Sequence, residues 1–157
     1  MTWRAIQVKL LLISCISFAV IFSSHAQIFP IPNQKEHQAF LLEPWKPDAP
    51  VLVAFLDPYC PYCIKALKSK ERYQYYNTFI FWAGILGERS VKRVEEILTC
   101  KQPVSDAVIR SVLERKAPEC EASDQSNHLM LAQHMVEAYD PMAVPSYYFG
   151  GRRVGLG

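Results

Sequence analysis

The stretch "VLVAFLDPYCPYCI" (Val51–Ile64) decides how the rest of the chain is read. Its first six residues are a continuous apolar run, rich in β-branched and aromatic side chains, with Pro50 before it and Pro58 after it. A strand buried on both faces, as in the middle of a parallel sheet, has this composition. Two cysteines follow, Cys60 and Cys63, with Pro61 and Tyr62 between them. Such a pair serves a redox-active dithiol, half of a zinc site, or a disulfide that braces a turn.

Outward from this stretch the elements follow one another closely. Pro61 suits the first position of a helix, and Lys65, Lys68, Lys70 and Arg72 around Ile64 and Leu67 predict a basic helix to about Arg72. "TFIFWA" (Thr78–Ala83) reads as the next strand, which makes strand, helix and strand a βαβ unit. From about Glu88 to Tyr139 the pattern is helical throughout, in three segments. Val91, Val94, Ile97 and Leu98 mark the first. Val104, Ala107, Val108 and Val112 mark the second, behind Pro103 as a first-turn residue. Leu129, Ala132, Val136 and Tyr139 mark the third, with Asn127 as its cap. "VPSYYFGGRRVG" then predicts a hairpin: Ser146–Phe149, a Gly150-Gly151 turn, and a short strand from Arg152.

The N-terminal part reads differently. Arg4 and Lys9 precede "LLLISCISFAVIF" (Leu10–Phe22), an uncharged run of 13 residues, and Ser24 and Ala26 offer a cleavage site before Gln27. This is the pattern of a secretory signal peptide at 1–26, and the run is short against the ~20 apolar residues of a membrane span. Its removal takes away Arg4, Lys9 and no acid, leaving 15 basic against 15 acidic residues. A charge near zero argues against nucleic acid as a partner. Cys15 goes too, leaving Cys60, Cys63, Cys100 and Cys120, an even count that reads as two disulfides in an oxidising compartment. Residues 27–49 hold four prolines around "NQKEHQAFLL", where Asn33 and Glu36 fit a capping box. They read as a lead-in with one short helix.

Local chemistry weighs the uses of the cysteine pair without closing the choice. With Cys60 at the cap of a helix, free backbone N–H groups and the positive end of the helix dipole favour its thiolate, the attacking species in disulfide exchange. Cys63, one turn on, faces the same way and becomes the resolving thiol. Zinc needs a second ligand pair at matching spacing. Cys100 and Cys120 do not form one, and His128 and His134, six residues apart, read as surface histidines. A bracing disulfide between Cys60 and Cys63 closes a very small loop, so it stabilises little.

The constellation resembles the thioredoxin superfamily, and within it the periplasmic disulfide isomerases of the DsbC/DsbG type. "FLDPYCPYC" is similar to their active-site signature, and Val144-Pro145 sits where they carry a cis-proline loop. Cys100 and Cys120 fall in the helical insertion, where they carry a structural disulfide. The resemblance covers about residues 50–157. It implies an α/β, thioredoxin-like fold: a central mixed sheet with a helical insertion between the βαβ unit and the cis-Pro hairpin. It further implies catalysis by Cys60 and Cys63 with Pro145 positioning substrate, contacts from Tyr62 and Val144, and a Cys100–Cys120 disulfide. The partners implied are protein thiols and disulfides and a membrane redox partner of the DsbD or DsbB type. The location implied is the periplasm. No metal or organic cofactor is called for.

The chain also departs from that pattern. About 23 mature residues precede Pro50, too few for the isomerases' dimerisation domain, so a monomer is expected. Val144 stands where the isomerases usually have Thr, as in the oxidant DsbA. The family's usual C-terminal helix does not follow the hairpin, so either the sequence is a truncated piece or the sheet face that helix covers is expected to fall to the lead-in or to a partner. The acid that thioredoxin buries six residues before its first active cysteine is replaced by Ala54, and Asp57 reads as a turn residue beside Pro58. Glutaredoxins share the C-P-Y-C motif, but the long insertion and the export signal separate this chain from them. Two alternatives to an isomerase follow: a monomeric DsbA-like oxidant, or a non-enzymatic thioredoxin-like binding module of an envelope complex.

Overall fold

The apolar run Val51–Leu56 forms strand β1, with five of its six residues buried. It pairs in parallel with β2 (Asn77–Trp82), from Val51 opposite Asn77 to Leu56 opposite Trp82. Its other edge pairs antiparallel with β3 (Ser146–Phe149), which pairs in turn with β4 (Arg152–Val154). The sheet is therefore mixed, in the order β2-β1-β3-β4, with β1 inside it. The computed structural model describes residues 29–123 and 127–156. The signal peptide expected at 1–26, with Cys15, lies outside the described residues.

The helices are α1 (Gln34–His37), α2 (Pro61–Lys68), α3 (Glu88–Leu98), α4 (Asp106–Glu114) and α5 (Asn127–Tyr139). The basic helix is shorter than its composition predicts. It stops at Ser69, whose backbone leaves the helical region (φ −102°, ψ 64°), and resumes as a 3-10 turn over Lys70–Tyr73. The second helix of the insertion also starts later than expected. Ser105 caps it by accepting from the Val108 N–H, while the Pro103 carbonyl lies outside and accepts from the Trp82 indole at 2.8 Å. Asn127 lies within α5 and is not its cap. The hairpin turn puts both Gly150 and Gly151 at positive φ (54° and 72°), the conformation that tight two-residue turns require.

Side chains alternate across the sheet, so each face has its own core. On one face Phe55 lies between Phe81 and Tyr148, with ring centroids at 5.9 and 5.8 Å. The lead-in covers this face. Phe40 meets Phe81 at 4.8 Å, and Phe29 stacks on Tyr139 of α5 at 4.6 Å. Leu41 also forms a bridge to Phe79, and the Leu42 N–H donates to the Thr78 carbonyl at 2.9 Å, which occupies part of the outer edge of β2. The other face holds Tyr73 and Tyr147, whose hydroxyls are 3.3 Å apart.

One expectation needs correction. His128 is a core residue and not a surface histidine, because its ring packs edge-on against Phe40 and its Nδ1 lies 3.1 Å from the Cys100 carbonyl. Of the cysteines, Cys100 is bonded to Cys120, while Cys60 and Cys63 stand as thiols in this structure. The Cys100–Cys120 bond ties the end of α3 to the segment after α4, far from the thiol pair in the chain. Closing a loop of 20 residues stabilises by about 3 kcal/mol in the chain-entropy model.

Candidate active site

β1 ends at Leu56, and the next residues turn sharply into α2. Asp57 makes that turn: its carboxylate accepts from the Tyr59 N–H at 2.8 Å, and its carbonyl accepts from the Cys60 N–H at 3.2 Å. Cys60 is left with extended backbone (φ −71°, ψ 119°) as the N-cap of α2, and Pro61 takes the first helical position, where a missing N–H costs nothing. No side chain caps this helix end, so its first N–H groups stay directed toward the Cys60 position.

The two thiols occupy different environments. Cys60 retains 5 % of its surface, and its Sγ donates to the Val144 carbonyl at 3.4 Å. Cys63 retains none, and its Sγ accepts from the Asp57 N–H at 3.4 Å. Burial pushes the Cys63 thiol far up from the ordinary cysteine range. The Asp57 N–H opposes this, while Cys60 and the Asp57 charge add to it. Cys63 therefore stays protonated in the resting dithiol. Underneath, Tyr73 is likewise pushed up, first by burial and then by its hydrogen bond with Tyr147.

The Val144-Pro145 bond is cis, and the loop that carries it leads directly into β3. The structure thus brings Cys60, Cys63 and Val144 together, with half-buried Pro145 next to Val144. Tyr62 sits beside them on the surface, 73 % exposed. Cys100 and Cys120 lie elsewhere, in the helical insertion. Among the described residues, no group of three or more His, Cys, Asp or Glu side chains converges as a metal site would require.

Asp57 needs more than the turn role read from the sequence. Its carboxylate has no exposed surface, and besides Tyr59 it accepts from Ser90 Oγ, 2.6 Å from both oxygens, and from the Leu86 N–H at 3.2 Å. It therefore joins the end of β1, the cysteine turn and the start of α3. Gly87 lets that last segment turn, with φ at 101° immediately before the helix. Arg89 on the same helix turn places its guanidinium 4.3 Å over the Tyr59 ring. Ser90 and Arg89 carried no signal in the sequence. Only the position of Asp57 directly after a strand hinted at its place.

No family model matches this chain, and no curated protein matches it in sequence. Solved structures do resemble it. Proteus mirabilis ScsC in a transitional conformation aligns at 20 % identity over 77 % of this chain and 68 % of its own, with a TM-score of 0.51. In its compact conformation ScsC aligns at 20 % identity, over 77 % and 74 %, with a TM-score of 0.50. A conserved protein of unknown function from Enterococcus faecalis aligns at 12 % identity over 85 % of this chain and 91 % of its own, with a TM-score of 0.51. Likeness at such identities speaks to backbone architecture alone. Together with the mixed sheet and a cysteine turn at the end of its inner strand, it shows that the fold is thioredoxin-like.

Proposed function

We propose that the chain is an exported thiol–disulfide oxidoreductase that exchanges disulfides with protein substrates through Cys60 and Cys63. The observation that carries this reading is the asymmetry of the pair: Cys60 caps a helix start and keeps 5 % of its surface, and Cys63 keeps none. An attacking sulfur must be accessible and readily ionised, whereas a resolving sulfur has only to reach its neighbour. The Cys60 thiolate attacks one sulfur of a substrate disulfide, forming a mixed disulfide and expelling the other substrate sulfur as a thiolate. Cys63 then attacks Cys60 Sγ, which forms the Cys60–Cys63 disulfide and releases the second substrate thiolate. Two electrons pass from the protein to the substrate, and the reverse sequence oxidises a substrate dithiol.

Pro145 and Val144 form the loop against which an extended substrate segment lies, and exposed Tyr62 borders it. The resemblance to DsbC/DsbG catalytic domains and the secretory pattern at 1–26 support a periplasmic site of action, with a membrane protein of the DsbD or DsbB type restoring the working redox state. One observation favours a second reading, a DsbA-like oxidant. Val144 brings no hydroxyl to the thiols, where the isomerases usually place Thr.

The test is insulin reduction driven by dithiothreitol, run beside recovery of scrambled ribonuclease. Turnover of insulin that is lost in Cys60→Ser supports the dithiol reading. A Cys60→Ser variant as active as wild type rules it out and leaves the binding-module alternative. Isomerase and oxidant readings separate on the second assay, because only an isomerase efficiently reshuffles a substrate that already carries wrong disulfides.

A further inference from the structure

Arg89 is an exposed cation with a fixed position. Its guanidinium carbon lies 4.3 Å from the centre of the Tyr59 ring, and Tyr59 directly precedes Cys60. Both sides of this contact are tied to one carboxylate oxygen. The Tyr59 N–H donates to Asp57 Oδ1 at 2.8 Å, and Ser90, the residue after Arg89, donates its hydroxyl to the same atom at 2.6 Å. Long charged side chains on a surface ordinarily sample many rotamers. Here the ring and the two anchors keep the charge beside the cysteine turn. Resting on the dithiol reading above, we propose that Arg89 is a specificity-determining residue that receives a substrate carboxylate and so directs Cys60 to disulfides flanked by Asp or Glu. Tyr59 is the positioning residue that holds it there.

The charge of Arg89 is uncompensated within the chain. Among the described residues it forms no ion pair, neither with exposed Glu88 beside it nor with any other acid. Asp57 has no exposed surface, and its oxygens are occupied by Ser90, Leu86 and Tyr59. The Tyr59 ring attracts the cation through its π face but is not a carboxylate or a carbonyl. The guanidinium N–H donors, a planar fork that fits a carboxylate with two parallel bonds, are left for a partner.

The surroundings have the same sign. From Pro58 to Ser69 the chain carries Lys65 and Lys68, both exposed, and no acid. A polypeptide segment with acidic side chains is drawn to such a surface, and one with basic side chains is repelled. A cation held in place before binding also avoids the entropy loss of ordering it afterwards. A guanidinium near the turn has a second conceivable effect, stabilising the Cys60 thiolate whatever the substrate. That effect changes all rates alike, so a ratio of rates separates the two.

The probes are two short peptides, each closed by one internal disulfide and identical except for Asp or Lys next to one cysteine. Their reduction by the reduced protein in a single turnover is followed by acid quench and chromatography at low salt. Each rate is divided by that of dithiothreitol with the same peptide, which removes the peptide's own reactivity. Wild type is expected to favour the Asp peptide about tenfold, the joint effect of one attraction and one repulsion at an exposed site. In Arg89→Gln the ratio should fall at least threefold, and in Arg89→Glu below one. Tyr59→Leu keeps the charge but loses the ring, so the ratio should fall about threefold, and Tyr59→Phe should restore it. Lys35→Gln removes the same charge from α1 and should leave the ratio unchanged. A wild-type ratio near one, or an unchanged ratio in Arg89→Gln, overturns the proposal, as does an equal fall in Lys35→Gln. An unchanged ratio in Tyr59→Leu overturns the positioning role. Failure of the dithiol reading looks different: reduced wild type then reduces neither peptide, or Cys60→Ser reduces both as fast, and the proposal falls with it.

Discussion

Asn77 holds both backbone groups of Lys46. Its side-chain oxygen accepts from the Lys46 N–H at 2.8 Å, and its amide nitrogen donates to the Lys46 carbonyl at 2.7 Å. The same nitrogen donates to the Ala49 carbonyl at 2.8 Å. Asn77 opens β2 and is almost wholly buried, so these three bonds fasten the proline-rich lead-in to the sheet. Asn77→Ala leaves several backbone groups without partners. A loss on the order of 3 kcal/mol is expected from the cost of unsatisfied buried polar groups. Urea unfolding would show it as a lower midpoint at constant slope, and a loss below about 0.5 kcal/mol means the fastening contributes little.

The difference between the two thiols predicts ordered alkylation. Near neutral pH, iodoacetamide should modify Cys60 quickly and leave Cys63 untouched, because burial holds the Cys63 thiol protonated and out of reach. Peptide mapping after short exposure reads the outcome directly. Equal and slow modification at both positions contradicts the assigned roles. Cys63→Ser should also accumulate mixed disulfides at Cys60, since nothing remains to resolve them.

The Cys100–Cys120 bond is expected to act on stability and not on exchange. Replacing both cysteines with Ser should cost about 3 kcal/mol from the restored freedom of the unfolded chain. Insulin reduction per folded molecule should stay near wild type, because the bond lies in the insertion and away from the cysteine turn. A variant that unfolds at the wild-type denaturant concentration refutes the stabilising role.

His37 predicts a pH dependence. Its ring sits edge-on to Phe79 and Phe81, with centroids at 6.2 and 6.0 Å. Burial lowers its pKa below the ordinary 6.5. A hydrogen bond to the Asn33 backbone and the Glu36 charge work the other way, while His134 on α5 adds to the lowering. Between the two values the unfolded chain binds a proton that the folded protein refuses, so stability rises with pH there. The His37 contribution is complete above 6.5 and declines as pH falls from 6.5 through the folded value. Urea midpoints at several pH values, compared with those of His37→Leu, isolate it. The wild type should lose more stability on acidification than the variant, and parallel curves refute the assignment.

What the sequence made legible was what local pattern encodes. The run Val51–Leu56 is continuous and β-branched, so β1 could be read to the residue. Cys60 and Pro61 mark a helix start by themselves, and two adjacent glycines mark the hairpin. The next strand was offset by one residue, because Asn77 has poor strand propensity and is held there by Lys46 and Ala49. Long-range polar contacts left no pattern at all. Ser90 is one serine on an amphipathic helix until the fold sets it against Asp57, 33 positions earlier. His128 reads as a surface residue until Phe40 and the Cys100 carbonyl close over it. The break at Ser69 is equally silent, since basic residues on both sides of it favour helix.

The contact between Cys60 and Val144 ties the oxidation state of the protein to its own backbone. A thiol can donate to the Val144 carbonyl, and a sulfur in a disulfide has no hydrogen to give. In the dithiol form that carbonyl is already occupied, so the cis-proline loop is capped from within. If Cys60 and Cys63 form the disulfide proposed above, the acceptor would open to an N–H from an incoming chain. Electron count and grip on a polypeptide would then change together, coupled by a single proton on one sulfur.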